Sequence, residues 1–292
     1  MFVMVFYSLM LAAVIFLFST QDNLLEGFKG VSPVWLAVVM LFKIIVQIAN
    51  GYRLNILLYF ENIRLPVGIW LPLSCVGTLQ NSVLPGRTAI ASKGVYLKHK
   101  FNLGYKKYLI LTLAGIVMFV FINTTVLAML SGYLDTKLRL LLYLLIAGSL
   151  GLLLFMLLVR IYNNVRENKY INYLNKISLL IFNREHIGIV SNIVASELVL
   201  ILTRSLALWA CFAAFGFDGE FISMVLISVL VSFSGVINLT PGNMGITESI
   251  IIGISLMFNI PLEIAVAASI LSRLTSILSQ FLIVFAMGKK LI

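Results

Sequence analysis

The chain has 292 residues, 61% hydrophobic and 11% charged, less than half the roughly 25% charge usual in soluble domains, which excludes a water-soluble globule. At about 20 apolar residues per crossing it has room for several transmembrane helices and little for a separate soluble domain. The 21 Lys and Arg exceed the 11 Asp and Glu, a net of +10, and in so apolar a chain that excess first reflects cytoplasmic loops, not nucleic acid.

Apolar runs of spanning or near-spanning length fall at residues 2–18, 35–50, 66–84, 108–130, 140–159, 188–214, 221–239, 246–259 and 261–287. The first has no basic region ahead of it and no small-residue cleavage site behind, so it is expected to be a retained helix. If every run crossed, the loop with Arg53 and Arg64 would lie opposite the loop with Arg87, Lys93, Lys98, Lys100, Lys106 and Lys107. Short basic loops belong in the cytoplasm, so simple alternation fails.

A broken hairpin at residues 66–97 repairs the topology: the chain enters from the cytoplasm, turns at Pro85-Gly86 and returns to the same side. A second hairpin, at 221–259, turns at Pro241-Gly242 and enters from the outer face. Both termini are then cytoplasmic. This topology places 14 of the 21 Lys and Arg in the cytoplasm and three, Lys29, Lys137 and Arg139, outside, and leaves Lys43, Arg87, Arg204 and Arg273 within the membrane.

The two breaks resemble each other, with Gly77, Asn81, Pro85, Gly86 matched by Gly235, Asn238, Pro241, Gly242. Paired Gly/Pro-interrupted segments in two halves of a chain point to an inverted repeat flanking a mid-membrane substrate site. Ordinary turn chemistry recurring by chance is the alternative. Between the hairpins, the stretch at 160–187 carries Ile161, Val165, Ile171, Leu174, Ile177 and Ile181 at mostly helical spacing among basic and Asn residues. It is expected to be an amphipathic helix on the cytoplasmic surface.

Ionisable groups at membrane depth cost about 2.5–3.5 kcal/mol each, so each needs a reason. Lys43, Gln47 and Asn50 share one helical face, Glu197 and Arg204 another, and Ser269, Arg273, Ser276 and Gln280 a third. Three inward polar faces would enclose a hydrophilic cavity beside the hairpins. Arginine presents a planar fork suited to phosphate, and Arg87, directly after the first break, is the foremost candidate for an anion contact. For Arg204 and Arg273 an ion pair with Glu197 or Glu248 that only fixes packing stays equally open. Glu248 opens the return limb of the second hairpin, where capping, a salt bridge or proton carriage are all open and its position favours capping. Cys75 and Cys211 lie in apolar runs and read as packing residues. His99 and His186 have no metal-ligand neighbours at suitable spacing, and no nucleotide loop or catalytic triad occurs. No metal, cofactor or enzymatic activity is expected.

The segments Asn81-Ser82-Val83-Leu84-Pro85-Gly86-Arg87 and Leu239-Thr240-Pro241-Gly242-Asn243-Met244-Gly245-Ile246-Thr247-Glu248 resemble the two signatures of the flippase-like membrane domain of lysylphosphatidylglycerol synthetases. Arg273 sits where that family often has an arginine in its last helix. The likeness covers essentially the whole chain. It departs from the pattern at Ala89 and Ile90, where Gly-Glu is usual, so an acidic partner beside Arg87 is missing. Asn243 stands where Gly is usual.

The resemblance implies the flipping half of that family, since its two-domain members pass on a lipid aminoacylated by a soluble C-terminal domain and this chain ends at Ile292. Stand-alone relatives are commonly linked to glycan or polyprenyl-phosphate lipid pathways. The expected protein is an all-α polytopic membrane protein of the cell membrane, one domain over 1–292, a helical bundle with two re-entrant or broken hairpins in an inverted repeat. Its expected function is translocation of an anionic phospholipid or polyprenyl-phosphate-linked lipid. Arg87, Asn81, Arg204, Arg273, Asn238, Asn243, Glu248, Glu197 and Lys43 are the candidate substrate contacts. Membrane lipid is the expected partner, with a lipid-modifying or glycan-assembly enzyme as a candidate second one. An ion-coupled transporter of a small anion and a non-catalytic partner of a glycosyltransferase or lipid synthetase are the alternatives.

Overall fold

The computed structural model describes residues 30–84, 88–133, 139, 143, 146–151, 154, 169–237 and 240–291. The expected first helix at 2–18, the turn at Pro85, Gly86 and Arg87, most of the run at 140–159, residues 160–168 and Asn238 lie outside them. Among the described residues there are α-helices and short 3-10 turns and no strand. The helices are α1 Pro33–Leu58, α2 Val67–Val83, α3 Thr88–Phe101, α4 Tyr105–Met129, α5 Lys169–Phe182, α6 Ile187–Ala213, α7 Phe221–Ile237, α8 Ile246–Met257 and α9 Leu262–Met287.

Length separates them into two kinds. α1, α4, α6 and α9, with the short turns that extend two of them, are long and apolar enough to cross a membrane. The hairpin limbs α2, α3, α7 and α8 have 17, 14, 17 and 12 residues, each short of the about 20 that a crossing needs. The second break falls where its Pro-Gly pair stands, and α3 runs on to Phe101, past the expected end of its hairpin. Helix stops follow local chemistry. α1 and α8 are each followed by an asparagine in the left-handed region, Asn62 and Asn259, and the Ile63 and Ile260 amides close back on Leu58 and Ser255.

The helix α1 passes well beyond the expected end of its run. Gly51, Tyr52, Arg53, Leu54 and Asn55 are all helical, so Arg53 is not a loop residue. Its polar neighbours find partners inside the protein: Asn55 accepts from the Leu65 amide at 2.9 Å and donates to the Tyr59 hydroxyl at 3.1 Å, tying the α1–α2 turn.

The described residues fall into two compact units. Unit one comprises those of Met1–Ile45, Leu79–Arg87 and Thr203–Phe281, and unit two those of Val46–Thr78, Thr88–Leu202 and Leu282–Ile292. In unit one the core joins Val39, Leu208, Cys211, Phe212, Met224, Ile227, Ile251, Ile260, Ala268 and Leu271. Trp35 meets Trp209 edge-on at 5.8 Å, and α7 packs on α8. Small buried residues, Ala207, Ala210, Cys211, Ala265 and Ala268, let backbones approach where lipid gives no hydrophobic drive to associate. Ser205 and Ser228 join α6 to α7 through their hydroxyls, 2.6 Å apart.

In unit two α4 packs on both α3 and α5. A helix, α5, stands in the C-terminal part of the expected amphipathic stretch, and there Ile177 clusters with Ala114 of α4 with Ile181 packed alongside, so this part of the apolar face is covered by protein. The arrangement is inside-out in α9, where Ser269 and Gln280 are buried. Leu274, Leu278, Phe281 and Phe285 project outward along the other face, as a lipid-facing stripe must.

Replacing Leu278 with Asp on that stripe should raise the free energy of inserting α9 by about 3–4 kcal/mol, read as loss of insertion in a glycosylation-mapping assay. Leu278→Phe should insert like the wild type.

Candidate functional site

The second break is built from backbone angles that few side chains tolerate. Gly242, Asn243 and Gly245 all have positive φ, at 60°, 52° and 82°, a conformation open to Gly and reached by Asn. This is a physical reason for Asn243 to substitute where a glycine is usual. The turn closes through the Asn243 amide to Thr240 O at 2.9 Å and the Thr240 hydroxyl to Met244 O at 2.9 Å. A Cβ at Gly242 would lie 3.1 Å from Ser82 Cα and 3.3 Å from Arg273 Nη1. The end of α2 and the second break therefore touch within unit one, with Asn81 half-buried beside the contact.

Arg273 of α9 ties this turn together. Its Nε pairs with Glu248 Oε1 and its Nη1 donates to the Gly242 carbonyl at 3.1 Å. Glu248 Oε2 in turn accepts from the Gly245 amide at 2.8 Å, so the carboxylate both caps α8 and holds the guanidinium. Among the described residues Arg273 makes two hydrogen bonds, which engage part of its five-donor fork. Neither side chain is sealed off, with 21% and 22% exposure.

Two further cations stand near. Lys43 of α1 donates to Ser272 Oγ at 2.7 Å and lies within electrostatic reach of Arg204 and Arg273, beside the Cys211 thiol. Arg204 of α6 donates to Ser232 Oγ at 3.0 Å. Asn243 donates weakly to Ser234 Oγ at 3.4 Å, while its carbonyl oxygen is buried with no donor among the described residues. Lys43, Arg204, Arg273, Glu248 and Asn243 are thus assembled in one unit, three cations with a single carboxylate among the described residues that form the cluster. An arrangement of this kind binds an anion through charge-assisted hydrogen bonds.

Glu197 is placed elsewhere. It lies in unit two, 1% exposed, with Oε2 2.5 Å from Arg53 Nη1 and Oε1 accepting from Asn123 Nδ2 at 3.1 Å. Arg53 is thus a cation of Glu197 that the sequence reading did not name, and Arg273 has Glu248 as its carboxylate. The sequence reading overlooked Arg53 by ending the run at residue 50, although Arg53 continues the Lys43, Gln47, Asn50 series at the next three-residue step. Asn123 was overlooked as well. Asn123 was legible as a lone amide in the middle of an apolar run. Arg87 and Asn238, being outside the described residues, have no place in this geometry.

Among the described residues, four helices long and apolar enough to cross a membrane, shorter apolar limbs and a cationic cluster at a broken hairpin mark a multi-pass helical membrane protein. The chain belongs to the family described as lysylphosphatidylglycerol synthase TM region, whose model matches residues 5–283. Membership relates it to lipid handling. A search of the curated proteins finds no match.

The part-buried Arg53–Glu197 pair gives a direct test of the unit-two packing. Arg53→Leu removes the charge-assisted bond to Glu197 and should lower stability in detergent by about 1.5–3 kcal/mol. Pairing it with Glu197→Leu should recover most of that loss in the same unfolding measurement.

Proposed function

We propose that the chain is a flippase-like lipid translocase, moving the phosphate-bearing headgroup of an anionic phospholipid or polyprenyl-phosphate-linked lipid across the cell membrane. The observation that carries this reading is the cluster of Lys43, Arg204 and Arg273 around one carboxylate. A headgroup phosphate loses its water on entering the bilayer, and such a cluster offers replacement donors and opposite charge. The acyl or prenyl tails stay in lipid throughout, against outward stripes such as that of α9. Arg273 and Arg204 supply planar forks and Lys43 a point charge, while Asn81 and Asn243 line the path at the two breaks.

In this reading the two hairpins belong to the two halves of an inverted repeat. Both termini face the cytoplasm. No covalent chemistry is required, so the chain is a carrier and not an enzyme, and a lipid-modifying or glycan-assembly enzyme delivers or consumes the lipid.

Purified protein in liposomes should accelerate the movement of a fluorescent phosphatidylglycerol or polyprenyl phosphate between leaflets, followed by bleaching of the outer leaflet. Removing one charge-assisted contact costs about 1.5–3 kcal/mol, so Lys43→Met and Arg204→Met should each slow the movement about tenfold or more. An unchanged rate in both variants, or inorganic phosphate uptake with no lipid movement, would contradict the reading.

A further inference from the structure

The turn between α3 and α4, in unit two, carries a basic cleft that the cluster of unit one does not use. α3 closes on a left-handed residue, Asn102 at φ 54°, and the Leu103 amide returns to the Leu97 carbonyl at 3.3 Å. The chain reverses there, and the last turn of α3 packs beside the first turn of α4. Between these turns and the 3-10 turn Tyr59–Glu61 lies a cleft of about 590 Å³. Its charged lining is Lys98, Lys106, Lys107 and Glu61, a net of two positive charges.

Each lysine is held differently. Lys107 Nζ pairs with Glu61 Oε2 at 2.6 Å, which ties the start of α4 to the turn after α1. Lys98 Nζ lies 4.7 Å from the centre of the Tyr105 ring. That ring is seated against α3 where Gly94 has no side chain, since a Cβ there would stand 3.3 Å from Tyr105 Cδ1 and 3.1 Å from Tyr108 Cδ1. An aromatic face attracts an ammonium without cancelling its charge. Lys106 makes no hydrogen bond or ion pair among the described residues, and it and Lys98 are exposed.

α4 is long and apolar enough to cross a membrane, so its lysine-bearing first turn belongs at the level of the headgroups. From that turn Tyr105, Leu109 and Leu113 recur every four residues on one face, 44%, 50% and 40% exposed. They form a stripe about 12 Å long that starts at the cleft and runs toward the bilayer interior. A water-soluble anion or an acidic protein segment would use the lysines and leave the stripe bare. A molecule with an anionic head and an apolar tail covers both.

We propose that cleft and stripe together seat an anionic phospholipid of the leaflet at which α4 begins, with its phosphate in the cleft beside Lys98 and Lys106 and an acyl chain along Tyr105, Leu109 and Leu113. Basic pockets between transmembrane helices bind anionic headgroups in this way. The lipid is a resident of unit two and not cargo, and its binding does not depend on translocation in unit one.

The test places the full chain in phosphatidylcholine nanodiscs with a small fraction of a photoactivatable probe, phosphatidylglycerol in one arm and phosphatidylcholine in the other, each with a diazirine in its acyl chain. Label is mapped by peptide mass spectrometry. Residues 105–113 should take more label from the phosphatidylglycerol probe than from the phosphatidylcholine probe. Lys98→Gln and Lys106→Gln should each lower that ratio about fivefold, and raised salt should lower it in the wild type. The Lys98→Arg, Lys106→Arg double variant should keep it. Lys176→Gln, the same loss of charge on α5 and outside the cleft lining, should leave it unchanged. Equal labelling by the two probes, a ratio that the Lys98→Gln, Lys106→Gln double variant does not move, or one that Lys176→Gln lowers as much would overturn the proposal. So would an acidic peptide that binds the cleft while the two probes label alike, which would assign the surface to a protein partner.

Discussion

The bridge made by Arg273 is the contact on which unit one depends. A helix broken at membrane depth exposes a carbonyl on one side of the break and an amide on the other, with no water to satisfy them. Arg273 donates to the Gly242 carbonyl, and Glu248, which it holds, accepts from the Gly245 amide. One ion pair thus serves both ends of the turn. With the turn fixed, Gly242 can sit against Ser82, and the two Pro-Gly signatures meet through backbone contact that a larger residue would obstruct. Lys43, held by the neighbouring Ser272, lies within electrostatic reach of this bridge.

The two units use a shared device. In each, a carboxylate orients an arginine, Glu248 with Arg273 and Glu197 with Arg53, and in unit one Lys43 stands within electrostatic reach of Arg204 and Arg273. Charge of one sign at membrane depth is expensive, which is why the cations of unit one are the ones the proposed function uses. Serine hydroxyls hold two of these cations, Ser272 with Lys43 and Ser232 with Arg204. A hydroxyl fixes the position of a cation without neutralising it, and this keeps the charge available.

The parts legible in the sequence were those set by local chemistry. Pro-Gly pairs mark helix breaks because proline lacks a donor and glycine admits positive φ, and the second break lies where its pair stands. The polar face of α9 could be read from its spacing alone. What escaped was set by contacts distant in sequence. Arg53 looks like the start of a loop until its partner Glu197, 144 residues away, is known. Lys93 looks like one more cytoplasmic lysine because nothing local signals that Gly77 makes room for its side chain. The stripe of α5 was read for its periodicity, but periodicity cannot tell lipid from the flank of α4 as the surface that covers it.

The central claim is that the cations of unit one exist to hold an anionic lipid headgroup. Native mass spectrometry of the gently purified protein measures this directly. Wild-type protein should carry a phosphate-bearing lipid enriched over the bulk membrane, and the Lys43→Met, Arg204→Met double variant should lose it while keeping its neutral lipids. An identical lipid complement in the two proteins would contradict the claim.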